Sequence, residues 1–224
     1  STATNTGEPT YYFRGAVENN YVSFAGQTWR IVRINEDGTI RIIMQNGINN
    51  NATYAFNSNY NNYTYMYYTN SQAKTQLESW YQTNIGSKTD LAKNVAVGNY
   101  YCEQAKAKSG DSVTPDFKCS SDGNGKGVVN ASVGLLSYDE VVYAGGYRGQ
   151  NNSNYYLNNP AISWLTMSPT GFTGLFSGVW LVGTAGDIGG ISVSDAYVVR
   201  PVLNIKADAT ATGTGTSSDL YVIN

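Results

Sequence analysis

The side chains that most often perform catalysis are poorly represented in this chain, which contains no histidine. Histidine is the commonest general base and the commonest metal ligand of proteins. Its absence excludes Ser-His-Asp and Cys-His mechanisms and most zinc sites. Asp139 and Glu140 are adjacent acids, but with Ser137 they have the spacing of a capping box, which favours a helix N-terminus. We therefore predict that the chain is not an enzyme.

Oxygen-rich segments could bind calcium at two places, Asp122 with Asn124 and Asp187 with Asp195. Neither pair has the spacing of an EF-hand loop. Solvated turns would contain the same residues, so we predict no cofactor.

Two cysteines, Cys102 and Cys119, lie seventeen positions apart. In a secreted chain they would form one disulfide and close an insertion over residues 102–127. Loop entropy would then contribute about 3 kcal/mol to stability. The alternative is a pair of buried free thiols.

Four arginines, Arg30, Arg33, Arg41 and Arg200, could form an anion site. They alternate with apolar residues in strand-like segments. In that setting a guanidinium more often pairs with a carboxylate or stacks on an aromatic ring. We predict a structural role for them.

Tyrosine and asparagine are concentrated in two loop regions, around residues 47–70 and 147–159. A Tyr ring supplies contact area at little entropic cost, and the amides supply adaptable hydrogen bonds, as in antibody loops. The same composition could also merely cover a surface of low charge. We predict that the ligand-contacting side chains are Tyr60, Tyr63, Tyr65, Tyr67, Tyr147, Tyr155, Tyr156 and Trp180.

The element around which the chain is organised is a β-hairpin over Phe24–Met44, with a turn at residues 35–38. Alternation places Trp29, Ile31 and Arg33 on one face of its first arm. The apolar run Tyr197–Ile205 has a similar character, and we expect it to lie in the same sheet.

Two helices and several strands surround the hairpin. A helix is predicted over Ser71–Ile85, and a second begins at Ser137 and ends at Gly145. Strands are predicted for 11–15, 20–24, 161–167, 178–182, 188–193 and 197–205, with a last short strand at the end of the chain. This order predicts an α+β domain with antiparallel sheets, two flanking helices and long loops. An all-β sandwich with helical insertions is the alternative.

Length and composition bound the domain organisation. The 224 residues suit a single domain over 11–224, preceded by a small polar linker over 1–10. Net charge is −2 and the basic residues are scattered, which argues against nucleic acid as a partner. No run of eighteen apolar residues exists, so we predict no membrane insertion.

Four segments carry a resemblance to a known family: Tyr11–Met44, Val133–Gly146, Ser163–Pro169 and Val198–Ile223. Together they resemble a family of secreted domains of unknown function from Gram-positive gut bacteria. The hairpin sequence WRIVRI with the later VRPV is also similar to the C-type-lectin-like fold of formylglycine-generating enzymes. The resemblance implies a C-type-lectin-like domain. It does not imply oxidase activity, because no cysteine lies near VRPV.

These observations lead to a functional hypothesis: a non-enzymatic, secreted or cell-surface adhesin that binds a glycan or a host or bacterial surface protein. The Tyr-rich and Asn-rich loops would contact the ligand. One alternative is a structural, pilin-like or stalk subunit. Another is a receptor diversified by a retroelement.

Overall fold

The computed structural model describes residues 2–3, 7–97, 99–103, 115, 117 and 128–224. In these residues the strands are β1 Thr2–Ala3, β2 Pro9–Tyr12, β3 Tyr21–Phe24, β4 Gln27–Ile34, β5 Ile40–Met44, β6 Thr53–Ala55, β7 Asn99–Cys102, β8 Val128–Ala131, β9 Tyr147–Arg148, β10 Trp164–Phe172, β11 Ser177–Val182, β12 Asp187–Ser192, β13 Ala196–Val198, β14 Val202–Ile205, β15 Ala211–Thr212 and β16 Tyr221–Ile223. The helices are α1 Gln72–Tyr81, α2 Thr89–Ala92 and α3 Tyr138–Ala144. Single 3₁₀ turns form at Tyr63–Met66 and Tyr68–Asn70, and the π-helical segment Gln82–Gly86 extends α1. Ile48–Asn51 is a helical turn that contains left-handed residues.

The predicted hairpin is the centre of the first sheet. Strands β4 and β5 pair antiparallel, and the turn is closed by Gly38 N donating to Asn35 O, with Gly38 at φ +81°. Strands β2 and β3 share the other edge of β4, and β14 pairs with β5. The predicted turn is thus confirmed, as is the predicted pairing of the hairpin with part of residues 197–205.

One face assignment in the hairpin is wrong. The pairing of β4 with β5 shifts between Ile31 and Arg33, and Arg33 lies opposite Arg41. The extra residue on β4 forms a β-bulge, which reverses the alternation beyond it. Arg33 therefore lies on the face opposite to Trp29 and Ile31, where it contacts α3.

The second sheet has the strand order β6-β13-β10-β11-β12-β9. The predicted strand over 197–205 is divided between the two sheets: β13 lies in the second and β14 in the first. The break falls at Arg200 and Pro201. Proline has no N–H to donate to a ladder, so a continuous strand cannot run through it in the interior of a sheet.

Both predicted helices are present. Ser71 caps α1 by accepting a hydrogen bond from Lys74 N at 3.0 Å, and the apolar stripe of α1 and its extension is buried. Ser137 and Glu140 form the predicted capping box at the start of α3, which ends at Gly145. A single apolar core lies between the sheets and α1, and its largest fully buried side chains include Trp29, Trp164, Tyr68, Phe56, Ile42 and Leu77.

The chain is therefore a mixed α/β protein built mostly of antiparallel sheet with few helices. Within residues 1–10, predicted as a linker, β1 pairs with the start of β2, and Thr10 is fully buried.

Cys119 and most of the predicted 102–127 insertion lie outside the described residues, so the disulfide stays a prediction. No helix in the described part of the chain is long and apolar enough to cross a membrane.

Candidate functional site

Two adjoining depressions run along strands β10, β11 and β12. The first has a volume of about 690 Å³ and is lined by Tyr60, Thr170, Gly171, Thr173, Phe176, Ser177, Gly178, Gly190, Ile191, Ser192 and Ser194. The second, of about 380 Å³, is lined by Arg148, Gly149, Thr170, Trp180, Ile188, Gly189 and Gly190. Because Thr170 and Gly190 belong to both, we treat the two depressions as one site and call it the groove.

The floor of the groove is shaped by glycine. In the pairing of β11 with β12, Gly178 lies opposite Ser192 and Trp180 opposite Gly190, so these four residues share one face of the sheet. A Cβ added at Gly178 would lie 2.2 Å from Thr170 Oγ1. The missing side chains therefore leave room for Thr170 and keep the face open.

The walls at one end are aromatic. Tyr60 and Phe176 line the groove, and each residue is 48% exposed. Two hydrogen bonds join the segments that carry them, since Ser177 N donates to Tyr60 O at 2.7 Å and Ser177 Oγ donates to Asn62 O at 2.5 Å. The loop that carries Tyr60 is thus attached directly to β11, next to Phe176. Two exposed aromatic rings in one depression offer stacking surfaces to a ligand.

The other end of the groove is positively charged. Arg148 is exposed, and its guanidinium carbon lies 5.1 Å from the centroid of the Trp180 ring, a cation–π distance. Arg148 forms no ion pair within the described residues. Its charge is therefore available to an anionic group in the groove.

Trp180 supplies an unpaired donor beneath Arg148. The residue is 5% exposed and its ring packs on Tyr138 with centroids 5.0 Å apart. Its indole Nε1 has no hydrogen-bond partner among the described residues. A buried donor left unpaired costs about 1–3 kcal/mol.

The structure separates the predicted ligand-contacting residues into three groups. Tyr60 and Trp180 line the groove, while Tyr63 and Tyr147 are exposed at 55% and 43%. Tyr147 precedes the groove residue Arg148 and contacts Arg14 Nη2 through its hydroxyl.

The remaining predicted residues belong to the core rather than to an open surface. Tyr65 and Tyr67 are half-buried and pack against the core. Tyr155 and Tyr156 are only 3% and 5% exposed, and burial raises the pKa of both hydroxyls. In this structure these four rings do not line the groove.

Sequence reasoning missed Phe176, Arg148 and Thr170 as groove residues. A signal for the floor was present, because β11 and β12 contain Gly178, Gly189 and Gly190. Glycine inside a strand often marks a close approach of a ligand or of another chain segment. No local signal relates residue 60 to residues 148 and 176.

The four arginines have the structural role that was predicted. Arg33 Nε and Arg41 Nη1 donate to Glu140 Oε1 at 3.1 and 2.5 Å. The guanidinium of Arg30 stacks over Tyr21 at 3.8 Å, and that of Arg200 over Trp164 at 4.7 Å.

Burial alone would raise the pKa of Glu140, but the guanidinium groups of Arg41 and Arg33 and the amide of Ser137 lower it overall. Burial and the neighbouring Arg41 lower the pKa of Arg33 to about 10, so Arg33 remains charged at neutral pH. The three charges thus persist together inside the protein and connect β4 and β5 to α3.

Among the described residues, no three acidic, histidine or cysteine side chains cluster so that they could hold a metal ion. The candidate calcium segment around Asp122 and Asn124 lies outside the described residues.

A family model described as a domain of unknown function (DUF6273) matches residues 37–207. The matched range contains β5, α1, α3 and every residue of the groove. No curated protein and no solved structure matches the chain.

Proposed function

The chain belongs to the DUF6273 family, and we propose from the chemistry of the groove that it binds a glycan. The observation that carries the proposal is that two exposed aromatic rings, Tyr60 and Phe176, line one depression together with glycine and hydroxyl-bearing residues. Sugar rings present apolar C–H faces that stack on aromatic rings, and hydroxyls that both donate and accept hydrogen bonds. The groove offers aromatic rings to the C–H faces and hydroxyl-bearing side chains to the sugar hydroxyls.

The protein is, in this proposal, a non-enzymatic module that acts outside the cell, secreted or attached to a surface as an adhesin. Two features support it. Only 13% of residues are charged, so that uncharged polar side chains must keep the surface soluble, and the sequence resembles secreted domains of Gram-positive gut bacteria. We also propose a C-type-lectin-like fold, which the pairing of β5 with β14 and the flanking helices α1 and α3 support.

A second candidate function, contact with a protein or with other copies in a stalk, is favoured by the turn between β10 and β11. Leu175 at its tip is 69% exposed and Phe172 is 37% exposed. Neither residue lines the groove. The two candidates can therefore be separated by mutation.

Replacing both Tyr60 and Phe176 with alanine is expected to weaken glycan binding strongly. Each ring contributes about 1 kcal/mol by stacking, so each single variant should bind roughly fivefold to tenfold more weakly. Both side chains are half-exposed, so the free energy of unfolding should change by no more than about 0.5 kcal/mol each. The measurement is binding of the labelled protein to a glycan array, followed by titration of the ligands found.

Leu175→Ser is the matched control, because it removes an apolar side chain from the same turn but outside the groove. It should leave glycan binding unchanged. A glycan that binds the double alanine variant as well as the wild type would contradict the proposal. The second candidate would be supported instead if no glycan on the array bound the protein and if the protein self-associated in a way that Leu175→Ser abolished.

Replacing Arg148 with glutamine is expected to weaken binding of anionic saccharides selectively. The charge has no ion-pair partner within the described residues, so a sugar carboxylate or sulfate would gain a charge-assisted hydrogen bond. We expect about a tenfold loss for the acidic ligand, a smaller loss at high salt, and almost none for its neutral analogue. Lys88→Gln removes the same charge outside the groove and should change neither affinity. Equal losses for acidic and neutral ligands would contradict this role of Arg148.

A further inference from the structure

A separate depression, which shares no lining residue with the groove, is lined mainly by amide side chains. It has a volume of about 420 Å³ and lies between the β3–β4 turn, residues 46–51 and α1 with its extension. Gln27 and Asn46, Asn49, Asn50, Asn51 and Asn84 line it, together with Trp80, Met44 and Gly47. We call it the amide pocket. No charged side chain belongs to its lining.

The backbone that carries three of these amides has an unusual conformation. Asn49, Asn50 and Asn51 are consecutive residues with φ of 50°, 58° and 64°. The left-handed region is unfavourable for residues other than glycine, although asparagine tolerates it best. Three such residues in succession store conformational energy, and backbone of this kind is concentrated at functional sites.

The turn is held in place from several sides. Asn51 Oδ1 accepts a hydrogen bond from Gly47 N at 2.6 Å, and Ile48 N donates to Val199 O at 3.0 Å. Ile48 is fully buried. A Cβ at Gly47 would lie 2.1 Å from Val198 Cγ1, so the chain passes too close to β13 for any other residue. The backbone of the turn is therefore fixed by packing before any ligand binds, so that ordering it adds no entropic cost to binding.

Enough hydrogen-bonding groups remain for a ligand. Gln27, Asn46 and Asn50 are exposed, and their side chains make no hydrogen bond within the described residues. A free primary amide presents an acceptor oxygen and two donor hydrogens. Uncharged groups that donate and accept are the complement of hydroxyl groups, whereas a phosphate, carboxylate or metal ion requires charge that this lining lacks.

We propose that the amide pocket is a second binding site, which takes one neutral sugar residue, with Trp80 and Met44 beneath it and the free amides on its hydroxyls. This inference does not depend on the groove, whose Arg148 end favours anionic ligands. Two sites on one module would bind a branched or repeated glycan with higher avidity than either site alone.

The test is a titration of the whole chain with free glucose, galactose, mannose and N-acetylglucosamine, followed through side-chain amide and indole NMR signals. We expect at least one of these sugars to shift the signals of Gln27, Asn46, Asn50 and Trp80. Glucuronic acid should shift them less. The same shifts should occur in the Tyr60→Ala/Phe176→Ala variant, so a failure of the groove proposal would not affect this result.

Asn50→Gly combined with Gln27→Ala should weaken sugar binding at this pocket at least tenfold. Glycine accepts the φ of 58° at position 50, so the variant loses the amide without added backbone strain. Asn61→Ala, at an exposed asparagine outside the pocket, is the control and should bind as the wild type does. Absence of shifts with all four sugars, equal shifts with glucuronic acid, or unchanged binding in the double variant would each overturn the proposal.

Discussion

Replacing Glu140 with glutamine is expected to lower the free energy of unfolding by about 3–5 kcal/mol. The Glu140 side chain is 3% exposed and its Oε1 accepts from Arg33 at 3.1 Å and Arg41 at 2.5 Å. Its Oε2 accepts from Ser137 N at 2.9 Å. Glutamine has no charge and replaces one oxygen by a donor, so two buried guanidinium groups would lose their shared counterion.

The pairing of β4 with β5 increases this cost. Arg33 lies directly opposite Arg41, and like charges opposite each other on neighbouring strands are destabilising. The only other ion pair of Arg33 among the described residues is with Glu36, at 3.9 Å and nearer the surface. Without Glu140, the repulsion between the two guanidinium groups would be largely uncompensated.

Urea unfolding followed by circular dichroism measures the effect. Glu36→Gln is the matched control, because it makes the same chemical change beside the same Arg33 at a more exposed site. A partly exposed pair is worth no more than about 1 kcal/mol. If both variants lost the same stability, the buried network would not have the role assigned to it.

The loss in Glu140→Gln should also depend on pH in a defined direction. The pKa of Glu140 is lowered in the folded protein from its ordinary value of 4.5. A carboxyl with a lowered pKa stabilises the fold above its unfolded pKa, and this contribution disappears as the pH falls through the folded value. The difference between variant and wild type should therefore be constant near neutral pH and shrink as the pH falls below 4.5, the ordinary pKa of the carboxyl. A difference that grew on acidification would contradict the ion-pair explanation.

Replacing Trp29 with alanine is expected to cost about 3–5 kcal/mol, the range for removing a large aromatic side chain from a core. Trp29 is fully buried on β4 and packs against Phe24 and Trp80, with ring centroids 6.5 and 6.3 Å apart. Through Trp80 it joins the central hairpin to α1. Its Nε1 also donates to Phe24 O at 2.9 Å.

Two further variants test this explanation, one that keeps an aromatic ring at position 29 and one control at an exposed ring. Trp29→Phe keeps an aromatic ring but leaves Phe24 O without its indole donor, and we expect it to lose clearly less stability than alanine. Tyr11→Ala removes a ring that is 58% exposed and should change stability by about 0.5 kcal/mol at most. Thermal and urea unfolding of the three variants provide the measurement. An alanine variant within about 1 kcal/mol of the wild type would mean that α1 closes the space left by the indole.

The features determined by the sequence alone are those whose physical cause lies within a few residues. Gly38 closes the hairpin because glycine adopts positive φ, and Ser71 caps α1 because its hydroxyl reaches an amide three residues away. The capping box of Ser137 and Glu140 is local in the same sense. The turn and the capping box form where the sequence predicts them, and of the three candidate N-caps of α1, Thr69, Asn70 and Ser71, the structure uses Ser71.

The tertiary structure alone decided which side chains meet, since register and burial depend on segments far apart in the chain. One extra residue in β4 moved Arg33 to the side of Glu140, 107 positions away. Similar Tyr-rich loops gave different outcomes: Tyr60 remained exposed, while Tyr155 packed into the core against neighbours that local composition does not reveal. The groove likewise exists only because the sheet brings residues 60, 148 and 176 together over strands without side chains at Gly178 and Gly190.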